Sequence, residues 1–349
     1  MTAPIRQFTY VTLSDLPQTQ TATSIVFDSK HITAVTPENN CVTLINRSNK
    51  FMTYGQKRTD PIQFSDPYGI AKAFGCYYIS DTHNNRIVVL DDKFVFKMRI
   101  GGLGGSTRND RFFAPKGLAV SGDHLYVADY LNNRVQILNA HTLDYVATIG
   151  SYGRIEGKFH FPETVAVSTG KLFVVEERGK RVQAFGLTTN KFLFKVGYFD
   201  IGPNHLTIPC ELAIIDGYCL VAEKFSQRIA MFREDNGAFV TDLIAAQPRL
   251  SITFADARLP GLCSVSIAAH GKQLCISTFR RLRIVEIVNI RDWMIVFRRI
   301  MYHLQPTCES LGPLGWRIVE HRESIPEPGD RNVRQRLEWS QRFIAGEFS

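Results

Sequence analysis

Short apolar stretches alternate with polar turns in units that recur along the chain. In one unit the stretches are GLAVS (117–121), HLYVAD (124–129), RVQILN (134–139) and YVATIG (145–150), separated by Gly, Asp and Asn residues. Stretches of this length that are rich in β-branched and aromatic residues predict β-strands. No segment with helical periodicity interrupts them between residues 20 and 300. The pattern therefore predicts an all-β chain.

One spacing recurs in these units and defines a repeat. Four prolines each precede an arginine by nineteen positions, in the pairs Pro67 and Arg86, Pro115 and Arg134, Pro162 and Arg181, and Pro209 and Arg228. A fifth, longer copy runs from Pro260 to Arg283, and a degenerate first copy runs from Ala22 to Cys41. Successive copies lie 45 to 55 residues apart, a period typical of repeat architectures. Six units of four strands predict a six-bladed β-propeller with four-stranded antiparallel blades.

Small residues recur at one position of the first strand in each unit. They lie four positions after the proline, at Ala71, Ala119, Ala166 and Ala213, and Ser266 takes the matching place in the fifth copy. Strands that converge on one axis leave room only for small side chains, because protein interiors are close-packed. This strand is therefore predicted to be the innermost strand of each blade.

The same residues carry a resemblance to a known family. The strings YYISDTHNNRIVVL (77–90) and LYVADYLNNRVQIL (125–138) resemble NHL repeats, and the outer strands before them end in IGG and IG as NHL outer strands do. The resemblance covers residues 20 to 300 and implies a six-bladed propeller like the NHL domains of tripartite-motif NHL proteins. No RING, B-box or coiled-coil pattern occurs here, so a ubiquitin-ligase role would need those parts from another chain.

An acidic residue precedes four of the recurring arginines by five positions. These acids are Asp81, Asp129, Glu176 and Glu223. A hairpin with a four-residue loop places the acid and the arginine opposite each other, which predicts an ion pair. In the first copy both members are missing together and are replaced by Thr36 and Cys41. The arginines are therefore predicted to stabilise the hairpins, in line with what the NHL resemblance implies.

The repeat pattern predicts three parts of the chain: residues 1–20 as an N-terminal closing strand, 21–300 as the propeller and 301–349 as a C-terminal extension. Residues 6–13 alternate as a strand does, and their pairing with the apolar stretch 293–300 would close the ring. The sequence does not determine which strand closes it. Residues 301–349 are expected to be partly irregular. For residues 330–343 a short amphipathic helix and a disordered tail are both compatible with the sequence.

Composition narrows the class of protein. The chain is 44% hydrophobic and 21% charged, as soluble globular proteins are, and no apolar run is long enough to cross a membrane. Seven cysteines without paired spacing predict a reducing compartment, either the cytoplasm or the nucleus. The formal net charge is +8, with 35 basic against 26 acidic residues before residue 301. This mild bias is compatible with an anionic partner.

Two sets of loops share one end of the blades: those that enter each inner strand and those between acid and arginine. Cations and aromatic residues alternate there, which predicts a binding face composed of Tyr68, Arg111, Lys116, Tyr130, Arg154, Lys158, Arg178, Lys224, Phe225, Arg280 and Arg281. Several acids share the face and dilute its charge, among them Glu163 and Glu177. Four phenylalanines just before the prolines are predicted to wedge between blades: Phe112, Phe113, Phe159 and Phe161.

Three functions are compatible with this face. A non-catalytic scaffold for a protein or peptide partner is the first, and single-stranded RNA binding, in which cations hold phosphates and rings stack on bases, is the second; no DNA or membrane partner is expected. A metal-dependent lyase or hydrolase is the third, because amidating lyases resemble NHL propellers and hold a metal with histidines. Here His83, His160 and His205 share no common position in the repeat. The sequence therefore predicts no catalysis, cofactor or metal.

Overall fold

The computed structural model describes residues 10–11, 22–28, 31–46, 51–55, 62–102, 104–197, 204–224, 229–244, 266–270, 273–278, 281–286, 307–311 and 315–319. The chain divides into two compact units, residues 1–298 and residues 299–349. Among the described residues, no helix combines the length and the apolar character that crossing a membrane requires.

The larger unit begins with strand β1 (Tyr10–Val11) and then forms five blades, each from four strands that are consecutive in the chain. Blade 1 comprises β2 (Ser24–Phe27), β3 (His31–Thr36), β4 (Cys41–Asn46) and β5 (Phe51–Tyr54). Blade 2 comprises β6 (Pro67–Ala73), β7 (Cys76–Asp81), β8 (Arg86–Asp91) and β9 (Phe96–Gly101). Blade 3 comprises β10 (Pro115–Ser121), β11 (His124–Asp129), β12 (Arg134–Asn139) and β13 (Tyr145–Ile149).

Blades 4 and 5 repeat this arrangement. Blade 4 comprises β14 (Pro162–Ser168), β15 (Lys171–Glu176), β16 (Arg181–Gly186) and β17 (Phe192–Val196). Blade 5 comprises β18 (Pro209–Ile215), β19 (Tyr218–Glu223), β20 (Ile229–Arg233) and β21 (Phe239–Ile244). All pairings are antiparallel, and the first strands of successive blades lie side by side. The predicted all-β propeller with four-stranded antiparallel blades is confirmed.

A further four-stranded sheet is assembled differently. It contains β22 (Ser266–His270), β23 (Gln273–Thr278) and β24 (Arg281–Glu286), and its fourth strand is β1 from the start of the chain. Tyr10 lies opposite Arg283 and Val11 lies opposite Leu282. Strand β1 thus pairs with β24, and the predicted partner, residues 293–300, lies outside the described residues. Pairing with β24 covers an edge that would otherwise be free.

Neighbouring inner strands approach each other closely at the end where the prolines lie. A Cβ atom on Gly117 would lie 2.4 Å from the Cα atom of Thr164, and one on Gly69 would lie 2.3 Å from the carbonyl oxygen of Lys116. Glycine is needed at these positions because any side chain would collide with the neighbouring strand. Neighbouring inner strands are therefore held in close contact where the binding loops begin.

Aromatic wedges fill the spaces between blades, as predicted for two of the four phenylalanines. Phe112 is fully buried among residues of blades 2 and 3, and Phe159 is fully buried among residues of blades 3 and 4. The prediction for Phe113 was wrong, because this side chain is 44% exposed. Its ring lies over Gly105 of the same loop, where a Cβ atom would be only 2.5 Å from Cδ2 of Phe113. Phe161 is half-buried.

The described residues of the smaller unit form one antiparallel hairpin from β25 (Thr307–Leu311) and β26 (Gly315–Val319). The sequence analysis expected partly irregular chain here and did not predict these two short strands. The segment 330–343, for which a helix was one alternative, lies outside the described residues.

Candidate binding site on the loop face

The recurring arginine holds the loop that enters its own blade. Nε of Arg134 lies 2.8 Å from Oδ2 of Asp129, which confirms the predicted ion pair. The remaining guanidinium nitrogens donate to three carbonyl oxygens of the preceding loop, those of Thr107 at 2.7 Å, Arg108 at 2.9 Å and Arg111 at 3.1 Å. One side chain therefore fixes both the hairpin and the loop before it.

Blade 4 repeats these contacts. Nε of Arg181 lies 2.6 Å from Oε1 of Glu176, and the guanidinium donates to the carbonyl oxygens of Arg154 at 2.6 Å and Lys158 at 2.9 Å. The arginines contact the backbone of the loops and leave the loop side chains free to face outward. The loop between β13 and β14 is thereby held in a defined conformation.

Other blades show how the motif varies. In blade 2, Nε of Arg86 lies 2.6 Å from Oδ2 of Asp81. In blade 1 the replacement pair also interacts, since the hydroxyl of Thr36 donates to the carbonyl oxygen of Cys41 at 3.1 Å. Arg228 lies outside the described residues, so the pair predicted for blade 5 stays a prediction.

Each acid also binds the backbone of the loop. Oδ1 of Asp129 accepts the N–H of Phe113 at 2.7 Å, and Oε2 of Glu176 accepts the N–H of His160 at 2.8 Å. Burial raises the pKa of the Asp129 carboxyl, although the N–H of Phe113, the amide of Asn132 and Arg134 oppose that rise. The carboxylates therefore depend on these hydrogen bonds to remain ionised inside the blade.

Asparagines link neighbouring blades, which the sequence analysis missed. Asn40, Asn85 and Asn133 each stand directly before the recurring position and have φ values of 50°, 52° and 53°. Their Oδ1 atoms accept backbone N–H groups of the next blade, from Asp66 at 2.7 Å, Ala114 at 2.8 Å and Phe161 at 2.9 Å. The signal was present in the sequence, because Asn tolerates the left-handed conformation better than most residues.

Four predicted site residues converge on one buried carboxylate at the proline end of the inner strands. Oε1 of Glu163 accepts hydrogen bonds from Tyr68, from Nζ of Lys116 at 3.2 Å and from Nζ of Lys224. The fourth residue, Tyr130, contributes its ring, which lies 3.6 Å from Nζ of Lys116. Glu163 is fully buried, and its Oε2 atom has no hydrogen-bond partner among the described residues.

The repeat explains why these residues meet. Tyr68, Lys116 and Glu163 each follow the proline that begins an inner strand, so neighbouring strands place them side by side. Tyr130 and Lys224 each follow the acid that ends the second strand. The hydroxyl of Tyr130 donates to Oε2 of Glu177 at 2.5 Å, which extends the cluster towards blade 4.

The ion pairs decide the charge of this cluster. Burial opposes ionisation of Glu163, but the charges of Lys224 and Lys116 outweigh it and keep the pKa below its usual range. Burial lowers the pKa of Lys116, and the neighbouring Lys224 adds to that effect. Burial also opposes the charge of Lys224, yet Glu163 outweighs it and raises the pKa to about 12. The sequence placed both lysines on the loop face, and both are instead largely covered.

A second buried carboxylate lies close to Glu163. Burial, followed by the negative charge of Glu163, raises the pKa of Glu211 to about 8. The hydroxyl of Thr164 donates to Oε1 of Glu211 at 3.4 Å. Glu211 is therefore mostly protonated at neutral pH, so Glu163 carries the negative charge of this pair.

The other predicted site residues are distributed unevenly. Arg111 is directed into its own loop, since it donates to the carbonyl oxygen of Gly102 at 2.6 Å. Arg154, Lys158 and Arg178 are exposed, and none forms an ion pair within the part of the chain that the structure describes. Phe225 and Arg280 lie outside the described residues. For Arg281 only the backbone is described, where it pairs with Thr278 in the further sheet.

Exposed apolar side chains lie on the loops of blades 3 and 4 that also carry these three cations, and the predicted binding face did not include them. The exposed fractions are 64% for Tyr152, 68% for Ile155, 44% for Phe113 and 37% for Leu131. We call the set the loop-face patch; its members are Phe113, Leu131, Tyr152, Arg154, Ile155, Lys158 and Arg178. The other exposed large apolar side chains of the described residues lie on outer strands or in turns at the opposite end of the blades.

The loop-face patch is continuous with the buried cluster through a row of rings. The ring of Tyr152 lies 5.7 Å from His160, His160 lies 5.2 Å from Phe161, and Phe161 lies 4.9 Å from Tyr130. On the side of blade 3, the N–H of Leu131 donates to the carbonyl oxygen of Phe113 at 3.0 Å. Blades 3 and 4 therefore present one connected surface.

Comparisons with known proteins agree with the fold. Residues 114–138 match the NHL repeat family, and no curated protein sequence matches the chain. The structure is similar to a nidogen/laminin complex (TM-score 0.51, 11% identity, covering 64% of this chain and 80% of that chain). It is similar to the WD40 repeats of RRP9 (TM-score 0.53, 13% identity, covering 78% and 82%). It is also similar to a protein of unknown function from Bacteroides thetaiotaomicron (TM-score 0.54, 13% identity, covering 80% and 72%).

The matched segment contains β10, β11 and all but the last residue of β12. It therefore includes the ion pair of Asp129 and Arg134 that defines the hairpin of blade 3. The structural neighbours are too distant in sequence to indicate more than the fold. The chain is a β-propeller, and its residues 114–138 match the NHL repeat family.

Proposed function

We propose that the propeller is a non-catalytic scaffold that binds a protein or peptide partner on its loop face. The loop-face patch carries this proposal, because Tyr152 and Ile155 are the most exposed of the large apolar side chains in the described residues. Exposed apolar groups rimmed by charged residues mark interaction sites. The patch lies on loops whose backbone the arginines of blades 3 and 4 hold, so little conformational entropy is lost on binding.

Single-stranded RNA is the alternative, and the structure provides fewer groups for it than the sequence predicted. Of the predicted cations, Lys116 and Lys224 bind Glu163, and Arg111 binds its own loop. The ring of Tyr68 is buried and that of Tyr130 lies against Lys116 and Phe161. The rings of Tyr68 and Tyr130 are therefore not open for stacking with bases. Ile155 and Tyr152, in contrast, are exposed and can contact side chains of a protein partner.

We also infer that the further sheet closes the ring as its sixth blade. Its first strand, β22, lies beside β18 of blade 5 and beside β2 of blade 1. Strand β1 completes it from the other end of the chain. Joining the first and last strands of the ring in one blade secures the closure that a binding platform requires.

Site-specific photo-crosslinking tests the proposed function. A photoreactive residue at position 155 should form crosslinks to a discrete protein that persist after nuclease treatment. Position 146 on outer strand β13 is the matched control, because Val146 is also exposed, at 46%, but lies away from the loops. Crosslinks of the same pattern from both positions would contradict the proposal. Loss of the crosslinks after nuclease treatment would favour RNA binding over protein binding.

A further inference from the structure

The charges around the loop-face patch are unbalanced. Three acids lie on the loops that carry it, and each contacts a cation outside the patch: Asp110 lies 3.0 Å from Nε of Arg108, Glu156 lies 3.2 Å from Nζ of Lys195, and Glu177 lies 4.0 Å from Nζ of Lys116. No ion-pair partner exists among the described residues for the three cations of the patch. The surface therefore presents net positive charge beside apolar side chains.

His160, at the centre of the ring row, is sensitive to this charge. Burial lowers the pKa of its imidazole, and the positive charge of Arg154, followed by smaller effects of Arg178 and Arg181, lowers it further. The Nδ1 atom is buried without a hydrogen-bond partner among the described residues. A cationic environment that repels a proton from a histidine attracts an anionic group to the same place.

The apolar part of the patch distinguishes between anionic partners. Ile155 is aliphatic, and at 68% it is more exposed than any ring of the patch. Nucleic-acid bases stack on flat rings, whereas aliphatic side chains bind other apolar side chains. The combination of an exposed isoleucine, an exposed tyrosine and three cations with no ion-pair partner among the described residues therefore suits a peptide that carries both acidic and apolar residues.

We propose that the loop-face patch recognises an acidic segment of a partner protein in which carboxylates alternate with large apolar side chains. The carboxylates bind Arg154, Lys158 and Arg178, and the apolar side chains cover Tyr152 and Ile155. This inference rests on the proposed function, because it specifies the chemistry of the partner at the same surface. Charge complementarity of this kind increases the association rate and rejects basic partners.

Selection from a phage-displayed library of random peptides tests the partner chemistry directly, because it samples many side-chain combinations at once. Peptides selected on the full-length protein should be enriched in Asp and Glu together with Leu, Ile, Phe or Trp, relative to the starting library. Affinity of a selected peptide, measured by fluorescence anisotropy, should fall roughly tenfold or more on the charge reversal Lys158→Glu. It should also weaken steeply with salt.

The matched control is Lys191→Glu, which changes the net charge equally. Lys191 is exposed and lies in the turn before β17, at the opposite end of blade 4. This variant should retain the parent affinity. An equal loss for Lys158→Glu and Lys191→Glu would overturn the inference, because the effect would then come from net charge alone.

Ile155→Glu separates failure of this inference from failure of the proposed function. If selected peptides show no acidic enrichment but still lose binding on Ile155→Glu, the acidic partner is wrong and the binding face stands. If Ile155→Glu and Lys158→Glu both leave peptide binding unchanged, both proposals are wrong. Tighter binding of a single-stranded oligouridine than of any selected peptide would assign the face to RNA instead.

Discussion

Arg134 and Asp129 form an ion pair that the protein almost completely covers: Asp129 is fully buried, and the side chain of Arg134 is 10% exposed. The pair lies between the hairpin of blade 3 and the loop that carries Phe113. Its position makes the conformation of a candidate binding loop dependent on a contact inside the blade. The stability of the fold and the shape of the binding face are therefore linked at this point.

Replacing Arg134 with alanine should destabilise the protein by about 3–5 kcal/mol, because a buried carboxylate loses its charged partner. Three loop carbonyl oxygens lose their donor as well. Chemical denaturation measures the loss. The control is Arg178→Ala, since Arg178 is exposed and should change the free energy of unfolding by no more than about 0.5 kcal/mol. Similar losses of unfolding free energy for the two variants would show that the ion pair of Arg134 and Asp129 does not stabilise the fold.

Asn133→Ala should weaken the contact between blades 3 and 4. The substitution removes the acceptor for the N–H of Phe161 and places alanine at a φ of 53°. Together these effects should cost about 2–3 kcal/mol. Hydrogen exchange at the amide of Phe161 should become faster. Asn133→Gly loses the hydrogen bond but not the backbone conformation, so it should be less destabilising than alanine; the reverse order would contradict this explanation.

Glu163→Gln tests whether the buried cluster is held by charge. The change leaves Lys116 and Lys224 without their shared carboxylate, and breaking a buried pair in this way should cost about 3–5 kcal/mol. Glu156→Gln is the control, because its ion pair with Lys195 is on the surface and should contribute less than about 1 kcal/mol. Equal destabilisation of the two variants would exclude a special role for Glu163.

The raised pKa of Glu211 predicts a pH dependence of stability. In the folded protein the pKa is about 8, against a usual value of 4.5. Between these two values the folded state holds a proton that the unfolded state has lost, so the free energy of unfolding falls as the pH rises through this range and is level above it. The melting temperature of the parent protein should therefore decrease as the pH rises from 4.5 to about 8. Glu211→Gln should show a weaker decrease, and an unchanged slope would assign the effect to other groups.

Ring closure can be tested at the N-terminal strand. Deleting residues 1–12 removes β1 and exposes the edge of β24. The truncated protein should unfold at a lower temperature and aggregate more readily, because free strand edges pair with other molecules. Adding a synthetic peptide of residues 1–20 should restore the melting temperature. A truncated protein as stable as the parent would contradict the inferred closure.

The sequence predicted the fold well because its strongest signals are local. The nineteen-residue spacing from Pro115 to Arg134 includes one complete hairpin, so a single pairing register places Asp129 opposite Arg134. The small residues of the inner strands were predicted for the same reason. The hairpin at 307–319 was missed, since it occurs once and no repeat marks it.

The candidate site was harder to predict because its contacts join different blades. Lys116 was expected to face solvent, and its true partner, Glu163, is 47 residues away in the next blade. A sequence comparison of the positions after each proline would have placed Tyr68, Lys116 and Glu163 in one ring. This comparison could not have predicted which of these side chains form hydrogen bonds, because that depends on the distance between neighbouring inner strands.

Arg134 and Arg181 hold the loops that precede blades 3 and 4 through backbone carbonyl oxygens and not through loop side chains. A carbonyl oxygen is present at every residue, so the contact imposes no choice of side chain at Arg154 or Lys158. Substitutions in these loops can accumulate without loss of the scaffold. Recognition can therefore diversify among descendants of this chain while the architecture is inherited unchanged.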